Sequence, residues 1–357
     1  MHDPVNFQAK AGVALCLLLL LLLAGCGGAV SHLPPAESPS FGDSATKDSP
    51  CDPTLSLPPS DPAVPSGSDS PTTHSSKADD LDPTAFSARS EGDGGTVAVW
   101  WWDKGKAARL NRGKYLDFLE KNCVNEIYIC WPNFNSEQLA SFVTDAGERG
   151  MAVSLLSGDA SWIDPQNNGA DAVINEFLEY QRHAEPHERL MSLHMDVEPH
   201  QREDFSSNRQ EILQWYADFV KKTAKKVQGQ GEKIGWDIPF WFDEFAVLDE
   251  NGKETPLLCH LAEHAETLCL MSYRDSAEAV LDCARKELQL AREYGCQIIC
   301  GVETHSAEGD HVSFMEEGKE YMASETGKLY LTLKETMPKD QYGIAFHYLD
   351  TWYKLQD

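Results

Sequence analysis

Between Thr96 and Tyr348 the chain alternates short apolar runs with longer amphipathic stretches. The apolar runs are 96–102, 126–131, 151–156, 191–198, 233–242, 267–273, 296–303 and 342–348. Each is short and rich in β-branched or aromatic residues, which predicts a strand buried on both faces. The intervening segments repeat apolar residues at three- and four-residue spacing. Tyr115, Phe118 and Leu119 share one helical face, as do Val173, Ile174, Phe177 and Leu178. Ile212, Trp215, Tyr216, Phe219 and Val220 form a third stripe. Gly147 and Gly150 punctuate the approach to the third strand, and Gly295 the approach to the seventh. Eight strands alternating with helices over residues 96–357 predict a (β/α)8 barrel. A doubly wound open sheet is the competing fold, but no Gly-x-Gly-x-x-Gly turn follows the first strand.

The preceding residues follow a different pattern. Lys10 is followed by "AGVALCLLLLLLLAGC", an apolar run of signal-peptide length ending in Leu23-Ala24-Gly25-Cys26. That ending resembles the lipobox of bacterial lipoproteins. The resemblance implies that residues 1–25 are a signal peptide and that Cys26 takes a lipid, placing the protein on the extracytoplasmic face of a membrane. An ordinary signal peptide or an anchor helix are the alternatives. Residues 26–95 are Pro, Ser and Asp with few large apolar side chains, a composition expected of a disordered stalk.

Charge narrows the partners. The 357 residues carry 57 acidic and 30 basic side chains, a formal net charge of −27. Such a surface repels phosphate backbones, so nucleic acid is not an expected partner, whereas a neutral glycan is unaffected. A monomer with no cofactor is expected. Of ten Cys, Cys16 lies in the leader and Cys26 at the lipid position, leaving Cys51, Cys123, Cys130, Cys259, Cys269, Cys283, Cys296 and Cys300. None forms a paired zinc-knuckle spacing, and several lie in strand-like runs, so mostly free thiols are expected.

Barrel enzymes work at the C-terminal ends of their strands. These ends carry Trp102 and Asp103; Trp131; Asp159 and Trp162; Asp196 and Glu198; Trp241, Asp243 and Glu244; Tyr273, Arg274 and Asp275; Glu303 and His305; and His347 and Trp352. Aromatic faces cover the C–H surfaces of sugars, and carboxylates accept hydrogen bonds from hydroxyls. Core packing is the competing reading for each Trp taken singly. Within "HMDVEPH" (194–200), strand alternation places His194, Asp196 and Glu198 on one face and Met195 and Val197 on the other. Gly301, Glu303 and His305 share a face in the same way. Two glutamates are thus expected to face one another across the mouth, with Asp196 raising the pKa of Glu198 through like charge.

These strand ends resemble two groups of TIM-barrel glycoside hydrolases. Glu198 and Glu303 match the general acid and nucleophile of enzymes with glutamates after strands four and seven, though Val197 stands where that group has Asn. Chitinase-type glycosidases carry Asp-x-x-Asp-x-Asp-x-Glu on strand four. Asp196 and Glu198 match its last two acids, while Met191 and His194 depart from the first two. Met271-Ser272-Tyr273 matches their Met-x-Tyr, and Trp352 their Trp after strand eight. The first resemblance implies double displacement by Glu198 and Glu303. The second implies attack by a substrate N-acetyl group, oriented by Asp196 and Tyr273.

Three alternatives stay open. His194, Asp196 and Glu198, with His305 or His347, suit a metal-dependent phosphodiesterase or amidohydrolase. A non-catalytic glycan-binding lipoprotein would keep the cleft alone. Asp196 and Glu198 would also fit a core ion-pair network with Arg274 or Lys104. For His347 a barrel hydrogen bond, and for Asp243 and Glu244 a place on the rim, are the simpler readings. No Gly-x-Ser-x-Gly elbow supports a serine nucleophile, and no strand-end Cys lies beside a His.

Overall fold

The computed structural model describes residues 94–102, 111–132, 137–307, 309 and 311–355. Eight parallel strands close into a barrel: β1 (Thr96–Trp101), β2 (Glu126–Ile129), β3 (Ala152–Ser157), β4 (Leu193–Met195), β5 (Ile234–Pro239), β6 (Thr267–Met271), β7 (Gln297–Glu303) and β8 (Tyr342–His347). Each strand pairs with its sequence neighbour, and β1 closes the ring against β8 with Val97 opposite Ile344. The predicted (β/α)8 barrel is the observed fold.

Helices run between consecutive strands, at Arg112–Lys121, Glu137–Gly147, Gly169–His183, Phe205–Gln228, Leu257–Glu263, Ala277–Cys283 with Arg285–Tyr294, and Gly318–Thr336. The longest shows why. Ile212, Tyr216 and Val220 are fully buried at four-residue spacing, and the Tyr216 ring meets Trp236 of β5 edge-on at 6.4 Å. Such a stripe must cover a sheet to leave water, and the barrel's outer wall supplies it.

The structure departs from the expected spans in three places. The fourth run was expected to stay extended to Glu198, but its ladder covers only Leu193–Met195. Pro199 starts a 3-10 turn at Pro199–Gln201, consistent with proline's fixed φ. The fifth run stops at Pro239 and turns through Phe240–Glu244. An antiparallel hairpin, 246–248 with 254–256, is inserted before the short helix that follows.

Two separate apolar clusters fill the molecule. One lies between strands and helices. The other fills the bore, with Ala98, Trp100, Tyr128, Leu156, Cys269, Ile299 and Ala345. His194 and Asp237 join this layer. They survive burial because they are paired: His194 Nε2 meets Asp237 Oδ1 at 2.8 Å, and Trp100 Nε1 donates to Asp237 Oδ2 at 3.1 Å. Tyr128 stacks on the His194 ring at 3.8 Å. Gly301 makes room for this floor. A Cβ there would stand 2.5 Å from the Leu270 carbonyl and 3.0 Å from the Trp100 ring.

Of the cysteines, Cys259 is in a disulfide bond. Cys269, Cys283, Cys296 and Cys300 are free, as mostly expected. Among the described residues no helix is long and apolar enough to cross a membrane. Cys26 lies outside the described residues.

Candidate active site

Directly above the His194–Asp237 layer, β7 and β8 end side by side, with Glu303 opposite His347 in the ladder. Glu303 is buried and fully engaged. Its Oε1 accepts from the backbone N–H groups of Thr304 and His305, each at 2.8 Å, and its Oε2 lies 2.8 Å from His347 Nδ1. Trp102 Nε1 donates to His347 Nε2 at 3.2 Å. Indole nitrogen is only a donor, so Nε2 accepts and the Nδ1 proton points at Glu303. The imidazole is held further by Tyr273, stacked at 5.5 Å, and by the Trp100 edge at 5.5 Å.

Across the mouth, Glu198 follows the end of β4 in a loop. Its Oε2 lies 3.2 Å from His200 Nε2, and its Oε1 accepts from Gln201 Nε2. Both partners belong to its own 3-10 turn. Trp241 and Phe242 meet the His200 ring edge-on at 5.2 and 6.2 Å, fixing it. The loop is pressed from behind by β3: a Cβ on Gly158 would lie 1.6 Å from the Asp196 carbonyl oxygen, so only glycine fits.

The two acids of this loop titrate apart. Burial pushes Asp196 well above the usual carboxyl range, and the charges of Glu198 and Asp237 add to it. Burial also raises Glu198, but hydrogen bonding and charge from His200, the Gln201 amide and the charge of His347 outweigh it, leaving Glu198 below its usual value. The expectation that Glu198 is the raised member is therefore corrected: only Glu198 has donors, so it keeps the charge and its neighbour keeps the proton. Burial, followed by the charges of Glu303, Asp237, Asp196 and Glu198, pushes the Tyr273 phenol well up, so it stays a hydrogen-bond donor. Glu198 and Glu303 thus act on one phenol and on one imidazole, from opposite sides of one mouth.

The structure brings together Asp196, Glu198, Tyr273, Glu303, His347 and Trp102. His305 lies on the rim, its ring stacked near Tyr348 at 6.2 Å and its Nδ1 donating to the Ser306 carbonyl. Arg274 donates to the Tyr273 carbonyl at 2.7 Å and covers the Phe240 ring at 5.0 Å. Other strand-end residues serve packing or turns. Trp131 is 2% exposed against Phe142, and Trp352 stacks on Phe346 at 3.9 Å. The sugar-platform expectation is corrected for both, because they fill space between barrel and helices. Trp241 backs His200 and packs on Phe205 and Phe245. Asp159 caps the turn at Ser161, Asp243 pairs with Lys286 at 2.9 Å, and buried Asp275 pairs with His311 at 2.9 Å. Trp162 lies outside the mouth, in a groove between helices. Asp103 lies outside the described residues.

The metal set expected from His194, Asp196 and Glu198 with His305 or His347 is not assembled. His194 turns to Asp237 and Cys269, whose donor atoms lie within 4.8 Å of one another, and both ring nitrogens of His347 are engaged. Sequence reasoning missed Asp237, His200 and Gln201. Asp237 had a signal: it alternates with Trp236 and Ile238, which face the helices.

No family model and no curated protein matches the chain. Among solved structures it is similar to a GH18 chitinase from Pseudoalteromonas aurantia, at TM-score 0.46 and 8% identity, covering 71% of this chain and 94% of that one. It is also similar to a plant class V chitinase mutant from Cycas revoluta in complex with (GlcNAc)3, at TM-score 0.45 and 11% identity, covering 72% and 95%. An active-site mutant of a Rhizomucor miehei beta-1,3-glucanosyltransferase in complex with laminaritriose overlaps at TM-score 0.44 and 11% identity, covering 71% and 86%. The barrel class is defined by this chain's own strand pairing.

Proposed function

We propose that the chain is a glycoside hydrolase acting on an N-acetylated extracellular or cell-wall glycan, held at a membrane by a lipid on Cys26. The observation that carries this reading is the division of labour among the mouth carboxyls. Glu303 is surrounded by three donors. Asp196 and Glu198 form a pair whose affinities for a proton are driven apart. Pairs of that kind are how proton-transfer sites divide acid from base.

In this proposal Asp196, protonated, and the Tyr273 phenol donate to the substrate's acetamido group and orient its carbonyl oxygen toward the anomeric carbon. A sugar replacing water removes solvent from Glu198, raises its pKa and loads it with a proton. Glu198 passes that proton to the glycosidic oxygen as the C–O bond breaks, and the acetamido oxygen bonds the anomeric carbon. Water then opens this cyclic intermediate, giving its proton back to Glu198. Glu303 holds His347 and the floor of the cleft. Direct attack by Glu303 is the second reading, favoured by its place across from Glu198. Against it, both of its oxygens already accept hydrogen bonds.

Hydrolysis of matched N-acetylated and de-N-acetylated oligosaccharides tests the proposal. Turnover is expected only with the acetamido group present, and equal turnover of both would overturn the substrate-assisted route. No turnover of any glycan, with retained fold, would overturn the enzyme reading in favour of a binding lipoprotein.

A further inference from the structure

A cavity of about 270 Å³ opens on the flank of the barrel, between helices 169–183 and 205–228. Its walls include Trp162, Trp215 and Phe219, each half-buried and packed on the core from one side only. Its rim carries the Asn168 amide, the Asp218 carboxylate and the Lys222 amine, all exposed. Here the 205–228 helix keeps Tyr216 wholly covered and leaves Trp215 and Phe219 partly open to the cavity.

The groove is joined to the candidate active site. The turn bearing Trp162 and the 205–228 helix both pack on the Pro199–Gln201 turn, which supplies the His200 and Gln201 partners of Glu198. One residue further on, the Arg202 guanidinium lies 5.7 Å from the Trp215 ring centroid. The Trp162 turn follows β3 and the Glu198 turn follows β4, so both lie at the C-terminal end of the barrel. Aromatic walls with an amide, an acid and an amine at the edge fit a pyranose ring, which is apolar on its faces and polar at its rim. The chain's charge of −27 disfavours a polyanionic polymer.

From these observations we infer that the flank groove is a second glycan site, holding a distal stretch of a neutral polysaccharide whose other end lies in the barrel mouth. The inference rests on the glycan reading of the mouth. It gives the enzyme a preference for long chains over short ones, because the second contact adds to the first through high effective concentration.

The test uses the full chain, insoluble chitin and an N-acetylglucosamine tetramer. Trp215→Ala and the surface pair Asn168→Ala/Lys222→Ala are compared with wild type for sedimentation with chitin and for hydrolysis of both substrates. The expected result is a roughly 5- to 10-fold weaker association with chitin and a matching rise in KM for it, with tetramer kinetics unchanged. The surface pair, both exposed, is expected to show at least a 2-fold effect in the same direction. Wild-type affinity for chitin in both variants would overturn the groove, as would failure of wild type to sediment with chitin at all. Sedimentation lost in the variants, from a wild type that hydrolyses neither substrate, would keep the groove and remove the hydrolase.

Discussion

Glu303 and Glu198 stand at the ends of two strands of one barrel, yet they are held by different means. Glu303 closes a seven-residue strand and receives its donors from the next two backbone amides and from a histidine locked by Trp102, Tyr273 and Trp100. Two of these donors are backbone amides at the strand end, fixed by the scaffold itself. Glu198 lies beyond a three-residue strand and is held by two side chains of its own turn. A carboxylate bound by the scaffold is an anchor. One bound by side chains of its own turn, beside a protonated neighbour, is able to exchange a proton. Chemistry is thereby expected on the β4 side and positioning on the β7 side.

The largest expected effect is from Glu198→Gln, which removes the exchangeable proton while keeping shape. Turnover should fall by about 10²–10⁴-fold, the usual scale of a lost general acid, with substrate binding retained. Asp196→Asn is expected to cost less than Asp196→Ala, since an amide still donates a hydrogen bond. The Asn variant also sharpens the electrostatics. A carboxyl raised in the folded state contributes stability below its unfolded pKa and loses it as pH rises through the folded value. Thermal unfolding scans should therefore show Asp196→Asn gaining on wild type as pH increases, and parallel curves would contradict the raised Asp196.

His200→Ala acts in the smaller range. His200 is the strongest of the groups that lower Glu198 against the raising effect of burial, so its loss should move the alkaline limb of kcat/KM to higher pH. An unmoved limb would mean that Glu198 is not the group being titrated. The smallest effect on activity comes from a carboxyl far from the mouth chemistry. Glu287 is fully buried, and burial, only partly offset by its own backbone amide, pushes it up to about 8. Its protonated form supports the fold at low pH, and that support is lost as pH rises through about 8. Glu287→Gln should leave turnover unchanged and raise the unfolding temperature relative to wild type at pH 9 more than at pH 6. An equal difference at both would contradict an uncharged Glu287.

The barrel was legible because eight buried strands and their amphipathic helices each leave a periodic trace, and their count admits few folds. The place of Glu303 was legible too, since it shares parity with Gly301 along β7, whereas Asp196 and Glu198 lie past the end of β4, where alternation no longer applies. Trp131 was misassigned although alternation held the answer: it shares parity with Ile127 and Ile129, which face the helices, whereas Trp102 shares parity with Trp100 and Ala98 in the bore. Trp352 gave no such signal, because it follows the strand on a helix whose facing surface is set by tertiary packing. The partners of Glu198 were hidden for a related reason. A 3-10 turn folds His200 and Gln201 back onto a residue that strand periodicity places apart from them.

The most direct measurement is turnover of an N-acetylglucosamine oligosaccharide by Glu198→Gln and Glu303→Gln side by side, with circular dichroism confirming both folds. The account expects Glu198→Gln to be silent and Glu303→Gln to retain at least a few per cent of wild-type turnover. A silent Glu303→Gln whose Glu303→Ala counterpart regains activity with azide, yielding a glycosyl azide of inverted anomeric configuration, would contradict it, because inversion marks azide in the place of a lost nucleophile.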